Sequence, residues 1–193
     1  MITAADIPPS RSRLDPDAML AVGLEAGLTP PTAEEIPLAR GLASKLMEHE
    51  VVSEATLQAV LAIQPASLMI FREGSEVTAV YGQLLLGVSA VRAIFAGTFD
   101  ALDVDTDHLS RAGETPALGY AWGLAASTKK GAAAILLNGR LVRARLFPEL
   151  TIFTRTVTPI GRHIALNRYG YKPLRSPDDD LMVRLPDAES VAA

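Results

Sequence analysis

The chain contains no cysteine, which excludes a disulfide scaffold, a thiolate zinc site and a cysteine nucleophile. No apolar run approaches the ~20 residues that a membrane-spanning helix needs. Residues 1–6 also lack the basic-then-apolar order of a secretory signal, so a cytoplasmic protein away from membranes is expected. Positive charge is not in excess: 18 Lys and Arg face 22 Asp and Glu, a net charge of −4, and this argues against a general nucleic-acid binder. Aromatic residues are scarce at 5%, whereas hydrophobic residues reach 49% of the 193 positions. That balance, with its many alanines, suits helices packed closely on a sheet. A chain of this length buries roughly 70% of its unfolded surface and needs no metal or disulfide to hold a core.

Residues 1–31 read as a proline-rich arm, packed on a partner or on the domain itself. Pro8, Pro9, Pro30 and Pro31 break any continuous helix, although 17–25 can form one short helix ending near Gly27. Residues 32–193 read as a single domain. Thr32 and Glu35 have the spacing of a capping box, and Ile36, Leu38, Leu42 and Leu46 follow at near-helical intervals. A second helix over 53–63 starts at Ser53 and is closed by Pro65. The period then shortens. Runs at 67–71 and 77–86, separated by Arg72-Glu73-Gly74-Ser75-Glu76, predict a β-hairpin, with Gly82 marking a bulge and Gly87 the strand end.

Further on, the pattern predicts a short helix over 89–97, an irregular stretch over 98–116, a strand over 117–126 and a helix over 131–146. Ile135, Leu136, Val142 and Leu146 are expected to face the sheet. A strand over 150–156, a helix over 159–169 stopped by Gly170 and a last strand over 181–185 complete the chain. The fold class is therefore α+β: a mixed sheet with helices on both faces, an insertion at about 87–117, and one parallel pair implied by the strand–helix–strand unit.

Chemistry concentrates at Trp122-Gly-Leu-Ala-Ala-Ser-Thr-Lys-Lys-Gly-Ala-Ala-Ala134, where a strand ends and a helix opens on small residues. Unpaired amides and the positive end of the helix dipole would meet there, with Lys129 and Lys130 adding two cations. A pyrophosphate fits such a seat; an ordinary strand-to-helix loop with solvated lysines is the bland alternative. Asp103, Asp105, Asp107 and Glu114 have calcium-loop spacing, but His108 stands where that loop requires glycine. They read as a solvated acidic loop, and no metal is expected.

From Ala117 to Leu174 the chain resembles the core of the GCN5-related N-acetyltransferase superfamily. In that family a loop of pattern [Gln/Arg]-x-x-Gly-x-[Gly/Ala] holds the pyrophosphate of acetyl-coenzyme A. Thr128-Lys129-Lys130-Gly131-Ala132-Ala133 matches at Gly131 and Ala133, with Thr128 in place of glutamine or arginine. The run from Thr158 to Tyr171, with Arg168, Gly170 and Tyr171 at its end, resembles the family's closing helix. Leu166 stands where members often carry a tyrosine acid.

The resemblance implies a central mixed sheet and an acetyl- or other acyl-coenzyme A donor on Leu124, Ala125, Ala126 and residues 128–133. It also implies direct acyl transfer to the primary amine of a small molecule or peptide. Catalytic candidates are His163, by its near-neutral pKa, and Tyr120 and Tyr169. His163 reads equally as a surface or packing residue, and Tyr120 and Tyr169 read first as core or rim aromatics. Alternatives are a non-catalytic coenzyme A sensor of the same fold, and an interaction protein forming a homodimer through its arm or insertion.

Overall fold

A computed structural model describes residues 2–186; Met1 of the arm and residues 187–193 of the expected domain lie outside the described residues. The helices are α1 (Pro16–Glu25), α2 (Ile36–Met47), α3 (Glu54–Ile63), α4 (Val88–Ala96), α5 (Lys129–Leu141) and α6 (Pro159–Tyr169). The strands are β1 (Leu68–Glu73), β2 (Glu76–Leu86), β3 (Leu118–Ala126), β4 (Ile152–Arg155), β5 (Lys172–Pro173) and β6 (Leu181–Arg184).

Local chemistry sets most boundaries. The Asp15 carboxylate accepts from the amides of Asp17 and Ala18 at the start of α1, and Ser53 Oγ accepts from Thr56 N at the start of α3. Gly97 and Gly170, at φ of 76° and 67°, let α4 and α6 end in the left-handed conformation that side chains resist. Between Thr32 and Glu35 only half of the expected box forms. Glu35 accepts from Thr32 N at 2.8 Å, and its carboxylate also grips the Arg72 guanidinium. Helix α2 accordingly begins one turn later, at Ile36.

The strands form one mixed sheet in the order β1-β2-β3-β4-β6-β5. Every neighbouring pair is antiparallel except β3 and β4, so the parallel pair expected from the strand–helix–strand unit is present. The β1–β2 hairpin turns on Gly74 and Ser75, because Glu73 already pairs with Glu76.

Alternation along β1 sorts the core. Leu68 and Ile70 pack with Ile36, Ala39 and Leu57 of α2 and α3, while Met69 packs with Ala134 and Ile135 of α5. Helix α4 joins the first face through Ala90, Val91 and Ile94, and α1 joins the second through Met19 and Val22. Residues 14–29 wrap this second face and its rim, where Leu14 and Leu28 are buried, Thr29 bridges to Ile70, and Leu14 N donates to Glu114 O, while Ile2 and Ile7 pack on the first face beside α4. The sheet thus carries helices on both faces, as expected.

Three expectations about side chains are corrected. Leu38, at 57% exposed, and Leu46 point to solvent, because Ile36, Ala39 and Ala43 form the buried stripe of α2. Leu136 is exposed as well, and Ile135 and Val142 take the sheet side of that helix. The predicted helix over 131–146 is α5 followed by one π turn at Val142–Leu146, and β5 escaped notice because two residues carry no period.

One buried amide ties the layers together. Gln64 Nε2 donates to Leu85 O at 2.6 Å and to Ser110 O at 2.8 Å, while its Oε1 accepts from Leu85 N and Ser67 Oγ, both at 3.0 Å. Gln64→Ala strands several buried polar groups, each worth about 1–3 kcal/mol when unsatisfied. A loss of at least about 2 kcal/mol is expected in urea-induced unfolding.

Candidate functional site

Strand β3 is paired with β2 along its whole length but with β4 only at Gly119, Tyr120 and Ala121. Beyond Ala121 no strand among the described residues lies beside its other edge. The register against β2 shifts between Gly82 and Gln83, so that Trp122 is the extra residue of a bulge. The bulge falls beside the predicted Gly82, although the inserted residue belongs to β3. A Cβ at Gly82 would stand 3.1 Å from Gly123 N, a tight fit against the facing backbone.

The bulge exchanges the two faces of β3. Leu118, Tyr120 and Trp122 pack on the α3–α4 side, whereas Ala126 packs on the α5 side. Ser127 N donates to Thr78 O, and the alternation of an antiparallel ladder then turns the amides and carbonyls of Leu124 and Ala126 away from β2. Leu124 is also 45% exposed. Ala125 pairs inward with Val80 and is buried, so of the three expected strand residues Leu124 and Ala126 offer their backbone outward.

Helix α5 opens directly beyond this edge. Thr128 is its N-cap, its hydroxyl accepting from Gly131 N at 3.1 Å and its carbonyl from Ala132 N. The amides of Lys129 and Lys130 stay open, as the first turn of a helix leaves them, and both side chains are exposed. Ala133 is exposed within the first full turn. The Thr128 hydroxyl donates to Glu73 Oε1 at 2.6 Å, which places a carboxylate of the β1 end beside the helix N-terminus. An incoming phosphate has to share the helix dipole with that charge.

Gly131 has a different role from the one its spacing suggested. It faces the sheet, and a Cβ would lie 2.7 Å from Ala79 Cβ and 3.2 Å from Thr78 O. The glycine therefore lets α5 settle on β2 rather than clearing room for a ligand. Gly131→Ala is expected to lower stability by about 1–3 kcal/mol through overpacking, read as a fall in the thermal midpoint.

The remaining candidates do not converge on β3. His163 is exposed on α6, its carbonyl accepting from Asn167 Nδ2 at 3.0 Å. Tyr169 is half-buried at the end of the same helix, and Leu166 is exposed. Tyr120 differs. It is 3% exposed, its ring lies 5.3 Å from that of Phe99, and its hydroxyl makes no hydrogen bond among the described residues. Burial pushes its pKa up to about 12, with Asp180 and Asp100 adding to the rise and Arg155 opposing it.

That hydroxyl lines a cavity of about 150 Å³ bounded by Phe99, Arg155, Arg175, Asp179 and Asp180. Sequence reading missed this cluster. Its members come from four separate segments, and only the run Asp178-Asp179-Asp180 ahead of the last strand could have drawn notice. Trp122 closes the neighbouring wall, donating from Nε1 to Ala101 O at 2.6 Å. Asp105 caps a short 3₁₀ turn by accepting from Asp107 N at 2.9 Å. No group of three or more metal-ligating side chains occurs among the described residues, and none of their helices is long and apolar enough to cross a membrane. No family model, curated protein or solved structure matches the chain.

Burial also raises the pKa of Tyr81 and Tyr171, so three of the four tyrosines stay neutral in the fold where an unfolded chain ionises them, near pH 10. Their contribution is complete below pH 10 and is lost as pH climbs toward and past about 12. Phenolate absorbance should accordingly rise together with loss of secondary structure, and Tyr120→Phe should shift that alkaline transition upward.

Proposed function

We propose that the chain is an N-acyltransferase that takes an acetyl or other acyl group from acyl-coenzyme A and transfers it to a primary amine. The observation that carries this reading is the outward backbone of Leu124 and Ala126, running along an unpaired strand edge into the open amides of Lys129 and Lys130. Amide groups of a pantetheine arm can pair with such an edge as an added strand would. A diphosphate can then meet the first turn of α5 and its two lysines. The strand between the two partial motifs, with the helix pair and hairpin ahead of them, also suits the acetyltransferase superfamily that the 117–174 segment resembles.

In this reading the amine nitrogen attacks the thioester carbonyl, the C–N bond forms, and the C–S bond breaks. An outward amide of β3 receives the oxyanion. The proton released by the amine ends on the departing thiol. Sulfur leaves as thiolate and takes up that proton through solvent, since no acid stands at the Leu166 position to deliver it. An acceptor amine of pKa about 10.4 must first lose a proton, and the rate is expected to rise with pH through the neutral range.

The exposed Leu166 and the Glu73 carboxylate beside the helix N-terminus favour a second reading, a coenzyme A-binding protein without turnover. Titration of acetyl-coenzyme A by calorimetry tests both. Saturable binding is expected, weakened about tenfold and less salt-sensitive when Lys129 and Lys130 are both replaced by alanine. No binding overturns both readings. Binding without any mass-detected acylation of a panel of amines leaves the second alone.

A further inference from the structure

We infer that the cavity under Tyr120 is a binding site for a small α-amino acid, the size of glycine, alanine or serine. As a binding site it stands on its own geometry; as the acceptor subsite of an acyl transfer it rests on the reading above.

Size comes first. A cavity of about 150 Å³ holds a ligand of about six non-hydrogen atoms, the volume that benzene fills in an apolar hole of similar size. The walls here are not apolar. Tyr120 is almost completely buried, yet its hydroxyl has no partner among the described residues and opens into the space. The hydroxyl is reached by solvent through the cavity, so a ligand oxygen or nitrogen at that point takes the place of water. As a neutral phenol it can donate to one and accept from the other.

Charge then selects the class. Arg155, half exposed, uses only Nε in its 3.4 Å pair with Asp180 Oδ2, so its two terminal nitrogens are uncommitted among the described residues. Arg175 commits Nη2 to Ile94 O at 3.2 Å and keeps Nη1. These donors suit a carboxylate. On the negative side, both Asp179 oxygens are spent on the amides of Arg175 and Leu181, which fixes the loop. Asp180 Oδ1 is uncommitted and can take an ammonium. A site with free donors for an anion, a free carboxylate for a cation, and room for about six heavy atoms fits a zwitterion. A bare amine would use only the carboxylate and a bare acid only the guanidinium donors, whereas a zwitterion uses both.

The test uses the full chain without any acyl-coenzyme A. Glycine, L-alanine and L-serine are titrated by NMR chemical-shift perturbation beside ethylamine, propionate and L-leucine. At least one of the three small amino acids is expected to saturate, with shifts at Phe99, Tyr120 and Arg155. Its affinity should exceed that of ethylamine and propionate about tenfold or more, since each of those loses one charged contact. Tyr120→Phe and the surface variant Asp180→Asn should each weaken it several-fold. No saturation by any of the three, equal binding of ethylamine or propionate, or unchanged affinity in Asp180→Asn would overturn the site. Failure of acetyl-coenzyme A to bind would overturn the acyl-transfer reading and leave this one intact, because no donor is present here.

Discussion

Three residue pairs hold the two halves of the sheet together. Gly119, Tyr120 and Ala121 of β3 meet Ile152, Phe153 and Thr154 of β4, and β4, β6 and β5 join the ladder of the first three strands through that short parallel seam. A longer seam would have covered the edge of β3 past Ala121 and satisfied its backbone. Because it stops, Leu124 and Ala126 keep outward groups. The bulge at Trp122 adds a change of face at the same place, which moves the later side chains toward α5.

Both candidate sites sit at the carboxyl ends of these two parallel strands, where α/β folds commonly present their ligands. They lie on different sides of the sheet. The open edge and the α5 N-terminus belong with the side that packs Ala126 and Ala134, while the Tyr120 cavity belongs with the side that packs Ile94 and Phe153. The irregular stretch after α4 contributes Phe99 and Ala101 to the cavity wall and is anchored by the Trp122 indole. An insertion that carries little regular structure is thereby made part of a built surface. Gln64 performs a similar service further back, binding the same stretch at Ser110 to β2.

Much of the chain was legible from local chemistry. The start at Ser53, the stop at Gly170 and the turn residues between the hairpin strands all act over a few residues, and those elements lie close to where the sequence places them. Errors arose where packing overrides pattern. Leu38 has helical spacing, yet it is exposed because α2 rests on its alanines. Gly131 matched a phosphate-loop motif, although its immediate constraint is the methyl of Ala79 across the sheet. The Tyr120 cavity left almost no trace in one dimension, since Phe99, Tyr120, Arg155 and Asp180 meet only after four strands have paired.

The sequence by itself determined the element order, the capped helix starts and the parallel strand–helix–strand unit, because hydrogen bonds and steric limits within a turn decide those. Tertiary structure alone decided where β3 and β4 part, which amides face outward, and which charges gather around the Tyr120 hydroxyl. Those outcomes depend on register and on how closely helices approach the sheet, and both are settled by contacts between residues far apart in the chain.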